Sequence, residues 1–517
     1  MITISLTTLA SVTDGELIVP ENNAALSLDG LAINDLVTDS RAIDEHSGRD
    51  TAFLALKGPS FDGHRFAEQV IEQGCQLLIV EHHLNAVKDV VQLVVNDTRI
   101  ALGQIAAFVK KEVAPKTVGI TGSSGKTTVK EMVAAILSRL GKVLATNGNF
   151  NNDIGVPLTL LRLERSHDFA VIEMGANHMG EIAYTTALTQ PDVAVINNIA
   201  AAHLEGFGDL CGVARAKGEI FSGLGENGVA LYNQDTKYTS KWQWRLTDKT
   251  VRTFSCFNTG AGKADCYSEN VSLDKNGCAT FTLHTGQGCC NVTLPVPGKH
   301  NVCNAVASAA IALEFGASLE DIQLGLAQMQ PVKGRLNLHQ FEHKKTGRNI
   351  KLIDDSYNAN LESAKAAAQL LSNYPGKQLL ILGDMGELGS EARSYHQEVG
   401  TFAKRLKLNT LLSLGVLSQA ASDAFAKDNH NDEQSQHFNQ RSELVTHLFN
   451  MLNQQLSAGQ QDIAILVKGS RSAHMEHVVK EIIEWFEQMN VQQNIDKDQS
   501  ASQENGASDN QSKEGMA

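Results

Sequence analysis

The chain has 517 residues, 42% of them hydrophobic and 20% charged, with a formal net charge of −14. At roughly 100 to 200 residues per domain, this length predicts about three globular units, each able to bury its own core. The acidic balance and the lack of a long Lys/Arg cluster exclude a nucleic-acid footprint, so an anionic ligand must be held by a few placed cations and backbone amides.

The opening stretch, Met1 to Gly15, has no cationic start, and Thr and Ser interrupt its apolar residues, so it does not read as a secretory signal. No later run is long and apolar enough to span a bilayer, and a cytoplasmic protein is expected. The eight cysteines, at 75, 211, 256, 266, 278, 289, 290 and 303, lack CxxC spacing and are expected to be reduced thiols.

Residues 1–112 mix short β-like runs (51–56, 77–80 and 93–96) with turns at Lys57-Gly58 and Asp62-Gly63-His64, which predicts a small α/β unit. Across 113–332, apolar runs at 117–121, 169–173 and 193–198 end in polar residues and alternate with helical segments. That is the pattern of a buried parallel sheet, whose ligands sit beyond the carboxyl ends of the strands. Residues 333–492 repeat it, with strands expected at 350–354, 378–383, 410–415 and 463–468, so a second doubly wound unit is expected. The polar stretch 427–436 reads as a surface loop. Residues 493–517 are almost without apolar side chains and are expected to form a disordered tail. The expected class is α/β, with a central P-loop-type parallel sheet, a C-terminal Rossmann-like unit and a small N-terminal α/β unit.

The strongest local signal is Val118-Gly-Ile-Thr-Gly-Ser-Ser-Gly-Lys-Thr-Thr128, a strand entering a Gly-rich turn and then a helical segment from Val129 to Leu140. Gly122 and Gly125 let backbone amides approach phosphate oxygens around Ser123 and Ser124. The helix N-terminus adds its dipole, Lys126 a point charge, and Thr127, followed by Thr128, an Mg²⁺ ligand. A nucleoside triphosphate site is expected. Glu173 and His203 follow neighbouring strands beside this loop, where a carboxylate and an imidazole suit a second Mg²⁺. Lys217 lies on a helical stretch, 209–221; taken alone it is a solvated cation.

TGxxGKT is the variant of this loop found in Mur ligases and folylpolyglutamate synthetases, and the order of further motifs resembles the Mur ligase family from about Asp35 to Glu476. Thr38-Asp-Ser-Arg41, Ala52 to Gly58 and Asp62-Gly-His64 resemble that family's UDP-sugar-binding domain, which implies nucleotide-sugar contacts for Ser40, Arg41 and Lys57. Thr146 to Pro157 resembles the loop facing the muramoyl-peptide, implying substrate contacts for Asn151 and Asn152. Gly298 to Asn304 implies adenine contacts for Asn301 and Asn304, with helix capping as the competing role of Asn301. Pro331-Val-Lys-Gly-Arg335 resembles the interdomain segment whose Arg reaches the phosphates, with Gly334 as a hinge position.

Asp354-Asp-Ser-Tyr-Asn-Ala-Asn360 resembles the segment marking the branch that adds D-alanyl-D-alanine, although Leu361 replaces the usual proline. It implies that Asp355 bonds the ribose with Tyr357 and Asn358 near the nucleotide. Lys468, Ser470 and Arg471 are expected to receive the dipeptide carboxylate. The resemblance further implies a carbamylated Lys217 helping Thr127, Glu173 and His203 hold two Mg²⁺ ions, catalytic roles for Lys126, Glu173, His203 and Lys217, and a monomer. It implies ATP, UDP-N-acetylmuramoyl-tripeptide and D-alanyl-D-alanine as substrates, joined through an acyl phosphate. The rival readings are folylpolyglutamate synthetase, which lacks the N-terminal block; the preceding Mur ligase, disfavoured by 354–360; a P-loop ATPase or kinase; and a non-catalytic nucleotide-binding module.

Overall fold

Lys116–Thr121 is buried from its second residue to its last, as expected of a strand with a helix layer on each face. In the computed structural model, which describes residues 1–20, 31–43, 50–256, 263–427, 434–458 and 461–490, this strand lies inside a nine-stranded sheet. The order across that sheet is Gly288–Pro297, Cys278–Thr285, Cys266–Leu273, Thr250–Ser255, Val229–Asn233, Val193–Ile196, Lys116–Thr121, Phe169–Glu173 and Val143–Ala145. From Val143–Ala145 to Cys266–Leu273 all pairings are parallel; the last two strands add antiparallel pairings.

Strand period two divides the core between the faces of this sheet. Val118, Ile120, Phe169 and Val171 pack against helices Lys126–Leu137 and His300–Glu314. Ala170, Ile172, Ala194 and Ile196 face the other way, into a cluster with Val213, Ile220 and Phe221. That cluster runs on without a break into the N-terminal unit through Leu102, Ile105 and Val109 of helix Thr98–Val113. The N-terminal unit is built on a five-stranded sheet ordered Glu16–Ile18, Val91–Val94, Leu77–Val80, Thr51–Leu54, Asp35–Val37.

A six-stranded sheet follows, ordered Asn337–His343, Arg348–Asp355, Ile463–Lys468, Lys377–Gly383, Thr410–Leu414, Gln434–Phe438, antiparallel only at its first pair. Ile350, Leu352, Ile463, Ile465 and Val467 pack on one face, and Ile353, Ala464 and Leu466 on the other. Both large sheets therefore present their parallel strand ends, where side chains from several strands converge.

The structure corrects three expectations. Cys256 and Cys303 are disulfide-bonded, and the other six cysteines are free. They are 47 residues apart, and only the fold brings their Cα atoms to 4.5 Å, within bridging range. The expected loop 427–436 ends in the edge strand Gln434–Phe438, paired with Thr410–Leu414; residues 428–433 and the expected tail 493–517 lie outside the described residues. Helix Lys126–Leu137 begins three residues earlier than its apolar pattern, because Gly125 supplies the N-cap at φ 75°.

Leu466 is fully buried in the strand between Arg348–Asp355 and Lys377–Gly383. Leu466→Ala is expected to lower the opening free energy of this sheet by roughly 2–5 kcal/mol, measured as faster hydrogen exchange of the Ile463–Lys468 amides than in the unaltered chain.

Candidate active site

The two large sheets share one cavity of about 380 Å³ at their strand ends. Ser123, Ser124, Gly125, Lys126, Thr127 and Thr128 line one side. Asn301 and Asn304 lie on the nucleotide-loop side with them, and Arg335, Asp355, Asn358 and Lys468 come from the chain that forms the six-stranded sheet. Glu173 also lines the cavity.

The loop before helix Lys126–Leu137 must be glycine at 125: besides the positive φ, a Cβ there would stand 2.5 Å from Asn304 Oδ1. Asn198 Oδ1 accepts from the Ser124 amide (2.9 Å), and Asn197 Nδ2 donates to Ser124 O (3.0 Å) and Asn304 Oδ1 (3.1 Å). Asn304 Nδ2 in turn donates to Asn301 Oδ1 (2.9 Å), and Asn301 Nδ2 to Pro297 O (2.7 Å). Asn301 is therefore inside its helix, with Lys299 at the cap position, and does not cap it. Lys126 Nζ donates to the Gly122 carbonyl (2.8 Å), and burial lowers its pKa against the opposing pull of Glu173.

Thr127 is the joint of the site. Its Oγ1 donates to Glu173 Oε2 (2.8 Å) and accepts from Arg335 Nη2 (2.9 Å), while Glu173 Oε1 accepts from Asn151 Nδ2 (2.8 Å). Arg335 lies over the Tyr357 ring, 4.6 Å from its centroid, and the Tyr357 amide donates to Gly334 O (3.0 Å). Gly334 has φ 71°, and a Cβ there would meet Tyr357 at 3.1 Å. Asn360 Nδ2 reaches the Ser123 carbonyl (3.3 Å), a second link between the sheets.

Three buried charges stand out. Lys217 has 0% exposure, and its Nζ has no hydrogen-bond partner among the described residues. Burial drives its pKa well down, and the charge of Lys126 adds to this, so the site favours the neutral amine over the ammonium. Lys468, 2% exposed, donates to Asp355 Oδ2 (2.5 Å) and Asn358 O (2.9 Å). Burial nevertheless raises the Asp355 pKa against the pull of that lysine.

Other predicted residues lie apart from the cavity lining. His203, with φ 54°, meets Glu387 through Nδ1, and Glu387 comes from the loop after strand Lys377–Gly383. Asn152 Oδ1 accepts from the Gly155 amide (2.8 Å). Ser470 is buried with its Oγ 3.0 Å from Ser472 Oγ, and Arg471 Nη1 donates to Glu476 Oε1 (3.1 Å). In the N-terminal unit Ser40 is buried, Lys57 is exposed, and exposed Arg41 pairs with Asp39 at 2.7 Å, holding that carboxyl down at about 2. Lys468 thus sits with Asp355, and Arg471 lies over the Tyr357 ring, 5.8 Å from its centroid. Sequence reasoning did not single out Asn197, Asn198 or Glu387. The two asparagines do close an apolar strand run, which is the signal that marked Glu173.

Residues 120–312 match the Mur ligase middle domain, and residues 335–471 match the glutamate ligase domain of Mur ligases. The chain is 46% identical over 484 residues to the UDP-N-acetylmuramoyl-tripeptide--D-alanyl-D-alanine ligase of Escherichia coli K12, covering 94% of this chain and 99% of that one. A crystal structure of MurF from Acinetobacter baumannii superposes with a TM-score of 0.83 at 39% identity, covering 94% of this chain and 99% of that one. MurF of Thermotoga maritima in complex with ADP shares the fold, with a TM-score of 0.75 at 24% identity and coverage of 88% and 98%.

His396 ties down the loop that carries Glu387: its Nε2 accepts from the Met385 amide (2.9 Å), and its Nδ1 donates to Ala392 O (2.6 Å). This requires the neutral ring, and burial lowers its pKa below the usual 6.5. Below that value the unfolded chain binds a proton that the folded one refuses, so stability falls as pH drops through 6.5 and is fully present above it. Thermal unfolding of the chain and of His396→Gln from pH 7.5 to 5 is expected to show a shallower acid loss in the variant.

Proposed function

The chain belongs to the Mur ligase family, and from that premise we propose that it is an ATP-dependent ligase joining D-alanyl-D-alanine to the terminal carboxylate of UDP-N-acetylmuramoyl-tripeptide. The observation that carries this reading is the shared cavity, in which a phosphate loop from one sheet faces Arg335, Asp355 and Lys468 from the chain of the other. The products are the UDP-muramoyl-pentapeptide, a peptidoglycan precursor, with ADP and phosphate.

An amide forms from a carboxylate and an amine in water only after the acyl group is activated. The tripeptide carboxylate attacks the γ-phosphate in line, ADP leaves, and an acyl phosphate results. The dipeptide amine then adds to the acyl carbon, and the tetrahedral intermediate expels phosphate. The loop amides and Lys126 hold the phosphates, Arg335 reaches them from the other sheet, Asp355 takes the ribose hydroxyls, and Asn301 and Asn304 face adenine, with Tyr357 and Asn358 beside the nucleotide. Ser40, Arg41 and Lys57 take the UDP-sugar, Asn151 and Asn152 the muramoyl-peptide, and Ser470 and Arg471 the dipeptide carboxylate. Lys468 is read with Ser470 and Arg471 as a contact of the dipeptide carboxylate, and its hydrogen bond to Asp355 steadies the aspartate as well.

Lys217 fits a carbamate: burial favours its neutral amine, the form that adds to CO₂, releasing one proton and gaining an anionic oxygen pair. With Thr127, Glu173 and His203 it would hold two Mg²⁺ ions, which when bound neutralise the charge developing on the transferred phosphoryl group. Closure of the six-stranded sheet over the loop, through Arg335 to Thr127 and Glu387 to His203, excludes water from the acyl phosphate. A cytoplasmic monomer is the expected form. No helix among the described residues is long and apolar enough to cross a membrane.

Phosphate release from Mg-ATP is expected to require both UDP-muramoyl-tripeptide and D-alanyl-D-alanine and to match pentapeptide formed, followed by mass detection. Release without either substrate and without product would reject the ligase reading. Lys217→Met is expected to fold as the unaltered chain does, since an apolar side chain of similar length replaces an unpartnered amine. Its turnover should drop by roughly 100-fold or more, the scale of losing several kcal/mol of transition-state stabilisation.

A further inference from the structure

Beyond strand Ile463–Lys468 the chain turns through Arg471–Ala473 and presents His474, Glu476 and His477 together. One imidazole nitrogen from each histidine and one carboxylate oxygen all lie within 4.8 Å of one another. The two rings are 6.1 Å apart and tilted by 36°, and neither histidine has a role in the ligase chemistry above. Glu476 divides its two oxygens. Oε1 accepts from Arg471 Nη1 at 3.1 Å, with His474 Nδ1 at 3.6 Å; Oε2 is buried and bonds to no other described residue.

We propose that His474, Glu476 and His477 form a binding site for a first-row transition ion of the zinc type, separate from the nucleotide cavity. Two imidazoles and one carboxylate suit Zn²⁺, Ni²⁺ or Cu²⁺, whereas Mg²⁺ prefers an all-oxygen shell. Zinc bonds to imidazole at about 2.0–2.1 Å, so a 4.8 Å spread closes onto one ion with side-chain rotation of histidines that stand at the surface. His474 is 62% exposed, which leaves that ring free to turn. Three protein ligands leave one position open for water. An ion on Glu476 competes with Arg471 for the charge of that carboxylate, and, resting on the reading of Arg471 as a dipeptide-carboxylate contact, metal occupancy changes how the amine donor is held.

The test is a titration of the full-length chain with Zn²⁺ against a chromogenic chelator, in millimolar Mg²⁺, with the visible spectrum of bound Co²⁺ as a second readout. One site per chain is expected, weakened at least tenfold in His474→Ala/His477→Ala and in Glu476→Gln. A Co²⁺ spectrum typical of low coordination should be present in the unaltered chain and lost in the double variant. Equal Zn²⁺ affinity in the double variant, or only millimolar binding by the unaltered chain, overturns the proposal and marks an adventitious ion only. Should the double variant fail to fold, each single histidine variant and the Co²⁺ spectrum of the unaltered chain decide the matter. These readouts need no turnover, so their failure is distinct from failure of the ligase reading. A Michaelis constant for D-alanyl-D-alanine that stays constant on zinc binding would leave the site standing and overturn its coupling to Arg471.

Discussion

One hydroxyl joins the two halves of the site at its centre, with the Asn360–Ser123 and Glu387–His203 contacts beside it. Thr127 Oγ1 has one proton to give and lone pairs to accept with; the proton goes to Glu173 and a lone pair takes Arg335. Each partner arrives from a different element: the first turn of the nucleotide-loop helix, the end of a neighbouring parallel strand, and the segment leading into the second sheet. Nothing in this arrangement is possible unless the strand ends of both sheets converge, which is why the nine- and six-stranded layers are oriented toward a common cavity. A shift of about one residue in the pairing of Phe169–Glu173 with Lys116–Thr121 would turn Glu173 to the opposite face and dissolve the joint.

The same low-dielectric setting governs the charges around it. Burial disfavours the ammonium form of Lys217, and the neighbouring charge of Lys126 adds to this, so the side chain without a hydrogen-bond partner is pushed toward the neutral amine. Lys126 is shifted in the same direction by burial, against the opposing pull of Glu173, and lies on the loop proposed to meet the phosphate oxygens. Asp355 and Lys468 are instead paired across adjacent strands, which holds the carboxylate in place at the cavity. Burial makes each of these groups sensitive to its neighbours, and neighbouring groups supply both specificity and the means of charge stabilisation.

Much of this was legible in the sequence because parallel strands buried on both faces leave continuous apolar runs, and the polar residue closing each run marks a strand end. Phe169–Glu173 and Ile463–Lys468 fall where the pattern places them. Three things were hidden. The pairing of Lys468 with Asp355 leaves no mark in the sequence, because parallel register brings together residues more than a hundred positions apart. The antiparallel extension from Cys266 to Pro297 was not anticipated, although Ala279, Phe281 and Leu283 alternate with polar residues as a half-buried strand requires. The Cys256–Cys303 bridge has no spacing signature at all, since the approach of a strand end to a helix is a property of tertiary packing.

The central claim is that the nucleotide is held jointly, by the phosphate loop of one sheet and by groups carried with the other. Calorimetric titration of a non-hydrolysable ATP analogue into the unaltered chain and into Arg335→Ala tests it most directly. Loss of one charge-assisted contact to phosphate, about 1.5–3 kcal/mol, should weaken binding by roughly 10- to 100-fold. An Arg335→Ala chain that folds normally and binds the analogue as tightly as the unaltered one would contradict the account, because the phosphate loop alone would then suffice.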